Sequence, residues 1–185
     1  RGVAIDHFVA ATTINDPFPR YLSTGIFEPQ DAVPTLASAM NVGHPSNLAR
    51  LVAVYGGRMD ETGKIHQMPD LTAMRRDLFS SSISDERTRG TIREVWAKYK
   101  LLLEPHGAVA WRGFQDWLDE ECGTRNVESG IETTLPHSAL RTPHFPAVIL
   151  ETANPAKFPE EIEKNMGWSP DVPPGDLDPA TLDSV

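Results

Sequence analysis

The sequence predicts an α/β fold in which short apolar strands alternate with helices. Three observations carry that prediction. Residues 8–13 (FVAATT) and 147–151 (AVILE) are short, apolar and rich in β-branched side chains, as buried strands are. Between them lie several segments with apolar residues spaced three and four apart, as on one face of a helix. Each strand candidate also runs directly into a helix start that carries proline: Asn15-Asp16-Pro17 after the first, and Thr152-Ala153-Asn154-Pro155 after the second.

The elements follow in order. After the 8–13 strand, proline at a first helical position predicts a short helix through Arg20, Tyr21 and Leu22 that stops at Gly25. Residues 35–42 (TLASAMNV) are small and apolar, and suit a strand or a helical turn equally. Gly43-His44-Pro45-Ser46 breaks that run, and Ser46 or Asn47 can cap a helix bearing Leu48, Leu51, Val52 and Tyr55, ended by Gly56-Gly57. Residues 58–67 read as a polar loop, 70–79 as a helix, and 80–84 as a short strand. Ser84 can cap the next helix, with Asp85 and Glu86 favourably placed against its dipole. There Ile92, Val95, Trp96 and Tyr99 make one apolar stripe. Glu104-Pro105 opens a further helix with Val109, Ala110, Phe114, Trp117 and Leu118 on its core side. Residues 123–145 are polar and aperiodic, and read as a surface loop insertion. After the 147–151 strand, a helix carries Phe158, Ile162 and Met166. Residues 169–185 form a proline-rich tail.

Composition narrows the function. The chain has 185 residues, of which 39% are hydrophobic, enough for one core. A net charge of -9 opposes phosphate backbones and anionic lipid, so nucleic acid and membrane surfaces are not expected partners. No apolar run approaches the roughly 20 residues of a membrane helix. Cys122 is the one cysteine, which leaves no internal disulfide and suits a reducing compartment, so the cytoplasm is the expected location. The six histidines show no metal-ligand spacing, and no metal is expected. His106, in the first turn of its helix, reads as a structural hydrogen-bonder.

Two positions stand out for chemistry. Thr152-Ala153-Asn154 and Asn15-Asp16 both lie where a strand's carboxyl end meets a helix, the place where open α/β sheets bind ligands. A threonine hydroxyl there suits a neutral ring nitrogen, because it hydrogen-bonds without forcing protonation as a carboxylate would. On spacing alone, helix capping by Thr152 or Asn154 and an Asx turn at Asn15 are the simpler readings of the same residues. Arg20 and Arg50 can grip a phosphate bidentately or serve in salt bridges. The residues alone define an α/β domain with a candidate crevice.

Four runs in order then point further. FVAATTINDPFPRYLSTG resembles the threonine synthase pattern FxAATNxNDxxPRFLxxG, and TLASAMNVGHPSNLARL resembles TLSxAMDVGxPSNxxRL. LLEPHGAVAW resembles LLDPHTAVG, and ETANPAKFPEEIE resembles xTAHPAKFxExxE. The resemblance extends from near residue 5 to about residue 165, apart from the 123–145 insertion. It departs at Thr13, Asn41 and Asn154, where the family has asparagine, aspartate and histidine.

The resemblance implies residues 1–168 as the C-terminal part of a fold-type II enzyme, tryptophan synthase β-like, with 169–185 as tail. It implies conversion of O-phospho-L-homoserine and water to L-threonine and phosphate with pyridoxal 5'-phosphate. Thr152 would lie near the pyridine nitrogen with Ala153 and Asn154 beside it. Asn15 and Asp16 would lie on the substrate side, where Arg20 and Arg50 are candidates for the substrate phosphate. The family's DxxFKD-like lysine motif and glycine-rich phosphate loop have no counterpart in these residues. The chain is therefore expected to be a fragment, inactive without the N-terminal part of the same enzyme. A non-enzymatic, partner-binding relative is the alternative.

Overall fold

The structure, a computed structural model, describes residues 5–128 and 146–168. The proline-rich tail and residues 129–145 of the expected insertion lie outside the described residues.

The first strand pairs in parallel with a second: β1 (Phe8–Val9) sets Phe8 beside Leu78 and Val9 beside Phe79 of β4 (Leu78–Phe79). The pairing continues past both strands. Ala10 and Thr12 donate to the carbonyls of Phe79 and Ser81, and Ile83 donates to Thr12. The 8–13 run thus behaves as one extended segment, and so does 78–83. The expected strand at 80–84 begins two residues early, because the helix before it is shorter than its sequence suggests.

Pro17 opens α1 (Pro17–Thr24), and Gly25 closes it in the left-handed region at φ 77°, donating to the Tyr21 carbonyl. The undecided run at 35–42 contains a single 3-10 turn, Ser38–Met40. Helix α2 (Leu48–Val54) follows, with Asn47 as N-cap but without a side-chain cap bond. Residues 58–67 are not a plain loop. They form a hairpin of β2 (Arg58–Met59) and β3 (Ile65–Gln67). Asp60 builds its turn by accepting from the Thr62 hydroxyl and from the Thr62 and Lys64 amides. The Thr62 and His66 side-chain bonds hold the Asp60 carboxyl well below its usual range. The Asp-Glu-Thr-Gly tetrad, with Gly63 at φ 87°, was the signal for this turn.

Helix α3 (Leu71–Asp77) is capped by Asp70, and α4 (Asp85–Tyr99) by Ser84, which accepts from Arg87 N at 3.3 Å. Helix α5 (Pro105–Glu128) runs six residues into the segment expected to be a loop. The 147–151 run is not a strand. Val148 and Leu150 are exposed, and no described residue pairs with them. A β-branched run suits a strand, but only a neighbouring backbone makes it one. A 3-10 turn (Pro155–Lys157) and α6 (Pro159–Met166) end the described chain.

Three apolar clusters hold these elements. Phe18, Tyr21 and Leu22 of α1 meet Leu48 and Val52 of α2, Met74 of α3 and Leu78 of β4. Ile92 and Val95 of α4 meet Leu103 and Ala108, with Met166 of α6 packed against them. Ala37, Ile83 and Val109 join the 3-10 turn to the end of the parallel pair and to α5. Gly113 lets α5 lie directly on β1's continuation, since a Cβ there would collide with Ala11. The result is α/β, with helices around small sheets. Among the described residues no helix is long and apolar enough to cross a membrane.

Candidate functional site

The carboxyl ends of the parallel pair present Thr13 and Asn15 on one side and Ser82, Ser84 and Asp85 on the other. The segment 33–41 crosses over these ends, held by side chains from three elements. Asn15, 2% exposed, pairs with Val33 in both directions: its Oδ1 accepts from Val33 N at 2.7 Å, and its Nδ2 donates to Val33 O at 2.9 Å. The same Nδ2 faces Thr13 Oγ1 at 3.1 Å and Asn41 Oδ1 at 3.3 Å. Asn41 Oδ1 also accepts from the Thr35 amide and hydroxyl. Asp85 accepts from Leu36 N at 3.1 Å, and His106 Nε2 accepts from Ala39 N at 3.2 Å. Gly43 is required beneath this segment, because a Cβ there would collide with the Gln30 carbonyl.

The N-terminus of α5 forms the second part of the site. Glu104 is fully buried, and its carboxylate accepts from the amides of His106 and Gly107, both at 2.7 Å, and from His106 Nδ1 at 2.6 Å. An acid at a helix start with orphan amides before it is the arrangement that satisfies both the dipole and the donors. The proton of the His106 ring lies on Nδ1, because Nε2 accepts from Ala39. Glu151 reaches the same point: its Oε1 accepts from Glu104 N at 2.9 Å. Loss of water holds the Glu151 carboxyl above its ordinary value. The Glu104 amide pulls it down, and the Glu104 carboxylate pushes it further up. Gly107 leaves the room, since a Cβ there would lie 3.0 Å from Glu151 Cγ.

Thr152, Ala153 and Asn154 follow Glu151 directly. Thr152 is exposed, and its hydroxyl makes no hydrogen bond among the described residues. Asn154 caps the 3-10 turn by accepting from Ala156 N at 2.9 Å. Asp16 binds Arg20 across one helical turn at 2.7 Å, with Arg20 exposed. Arg50 is exposed on α2 and forms no ion pair among the described residues. The structure thus joins Asn15 to Thr13 and Asn41, two positions where the sequence departs from the family pattern, and keeps Asp16 with Arg20. It places Arg50 in neither cluster. Sequence reasoning treated Glu104 as a helix opener only and did not single out Glu151. The run Glu-Pro-His-Gly, an acid just before a helix-opening proline, was the available signal for Glu104. Among the described residues no acidic, histidine or cysteine cluster could hold a metal ion.

No family model matches the chain. It is 31% identical to threonine synthase from Serratia marcescens over 93% of this chain and 32% of that protein. It is 35% identical to threonine synthase from Haemophilus influenzae over 90% of this chain and 30% of that protein. A threonine synthase from Brucella melitensis, solved with PLP bound, matches with a TM-score of 0.66 and 25% identity over 94% of this chain and 35% of that one. The chain spans about a third of the length of the curated relatives it matches. In sequence and in fold, the chain is a homologue of the threonine synthases, matched along nearly its whole length to about a third of theirs.

Proposed function

We propose that this chain is the C-terminal part of a cytoplasmic threonine synthase, converting O-phospho-L-homoserine and water to L-threonine and phosphate with pyridoxal 5'-phosphate. The observation that supports this most is the match, over 94% of the chain, to a threonine synthase solved with PLP bound. The residues fit that cofactor through Thr152. An exposed, uncommitted hydroxyl can hydrogen-bond the pyridine nitrogen in its neutral form. When bound, the cofactor supplies an electron sink, and the protein supplies position and electrostatics. Ala153 and Asn154 shape the turn that presents Thr152, with Asn154 spending its side chain on the cap.

On the substrate side, Asn15 acts by holding the 33–41 segment over the strand ends. Arg50 offers a free guanidinium for a phosphate, and Arg20 a second one once it leaves Asp16. The lysine that would hold the cofactor and the loop that would cradle its phosphate come from the rest of the same protein. The 185-residue chain is therefore inactive alone.

Borohydride trapping tests this reading. The chain and the complete protein are each mixed with pyridoxal phosphate and reduced, and modified lysines are mapped by mass spectrometry. The expected result is one labelled lysine in the complete protein, outside these 185 residues, together with phosphate release from O-phospho-L-homoserine. Stoichiometric labelling of one lysine within this chain overturns the assignment of the missing part.

A further inference from the structure

We propose that His106 is a positioning residue that locks the substrate-side segment and the cofactor-side turn to one point, the N-terminus of α5. The proposal rests on the reading of those two sides given above. His106 is 6% exposed and touches three elements at once. Its Nδ1 donates to the fully buried Glu104 carboxylate at 2.6 Å. Its Nε2 accepts from the Ala39 amide at 3.2 Å, which ties down the 3-10 turn in the segment that Asn15 also holds. Its ring packs against Phe158, 5.6 Å between centroids, just after the Thr152–Asn154 turn.

The cofactor-side turn has its own link to the same point through Glu151, whose Oε1 accepts the Glu104 amide. Glu104 therefore receives the imidazole through its carboxylate and offers its amide to Glu151. The two sides of the crevice do not need a direct bond to keep a fixed separation. Glu104 requires a donor and the Ala39 amide requires an acceptor: an ammonium only donates, and a hydroxyl carries both roles on one atom, whereas the imidazole places them on two separate ring nitrogens.

Two substitutions in the complete protein separate the two bonds. His106→Asn keeps a donor near the Nδ1 position and loses the Ala39 acceptor. His106→Gln reaches the Nε2 position and keeps an acceptor for Ala39. Cofactor affinity is read by fluorescence titration with pyridoxal phosphate, and KM and kcat with O-phospho-L-homoserine, beside the melting temperature. KM is expected to rise about tenfold in His106→Asn and less than threefold in His106→Gln, the difference being about one hydrogen bond. Cofactor affinity should change by a similar small factor in both. Equal losses in both variants that track the melting temperature would reduce His106 to a core residue and overturn the proposal. KM unchanged in both would overturn it as well. A wild-type protein that neither binds the cofactor nor uses the substrate would instead overturn the functional reading on which the proposal stands.

Discussion

Replacing Asn15 with alanine removes the side chain that pins the 33–41 segment to the end of the parallel pair. Two backbone groups lose their partner: the Val33 amide, held at 2.7 Å, and the Val33 carbonyl, held at 2.9 Å. Asn41 loses one donor but keeps the two from Thr35. A buried backbone group left unpaired costs about 1–3 kcal/mol. Both bonds are only part-buried, so the low end of that range applies. The expected loss is therefore about 2–3 kcal/mol, the two backbone groups plus the small space vacated. With a urea slope of about 2 kcal/mol/M, the midpoint of the complete protein falls by roughly 1 M.

Asn15→Asp sharpens the test. It keeps the acceptor for Val33 N but turns a second oxygen toward the Val33 carbonyl and Asn41 Oδ1, where only a donor is tolerated. The carboxyl must hold a proton to fit, so its folded pKa rises above the ordinary value of about 3.9. The folded state then binds protons more tightly than the unfolded one. Asn15→Asp is least destabilised in acid and loses stability as pH rises through that window. A loss below about 0.5 kcal/mol in Asn15→Ala, the size expected of an ordinary surface change, would refute the reasoning. An Asn15→Asp variant as stable as wild type at neutral pH would refute it equally.

Other outcomes follow from single contacts. Gly43→Ala drives a Cβ into the Gln30 carbonyl, and should cost about 3 kcal/mol or more, seen as a lower melting temperature, because backbone rather than a flexible side chain must move. Ser84→Ala removes the acceptor for Arg87 N and should cost about 1 kcal/mol in urea unfolding. Glu151→Gln keeps an acceptor for the Glu104 amide without the raised carboxyl. The wild-type carboxyl titrates above its ordinary 4.5 in the folded state, so wild type loses stability relative to Glu151→Gln as pH rises from there. Melting curves at about pH 4 and pH 7 should show that gap widening upward. Thr152→Val, at an exposed position, should leave the melting temperature in place while weakening pyridoxal phosphate binding in a fluorescence titration.

Local chemistry made much of the architecture readable. Pro17 and Gly25 bracket α1 because a fixed φ opens a helix and a left-handed glycine closes one. Ser84 with Asp85 and Glu86 marks the start of α4, and Ile92 and Val95 face its core as their spacing requires. Such signals act within a few residues, and at these positions the tertiary structure agrees with them. The strand assignment at 147–151 failed for the opposite reason. Apolar, β-branched composition says that a run can pair, but not that a partner lies beside it. The hairpin at 58–67 was obscured because its strands are short, and a side chain with partners two, four and six residues on, Asp60, holds the turn.

The sequence by itself determined the family resemblance and the position of Thr152, Ala153 and Asn154 at a turn before a helix. It also determined the start of α4 at Ser84 and both ends of α1, because these depend on neighbours in the chain; the ends of α3 and α5 it did not. Only the tertiary structure decided what Asn15 does, since its partner Val33 lies eighteen residues away. It alone decided that Glu104, His106 and Glu151 meet at the start of α5, across separations of up to 47 residues. Hydrogen bonds between distant side chains leave no periodicity behind. They exist only once the core has brought their elements together.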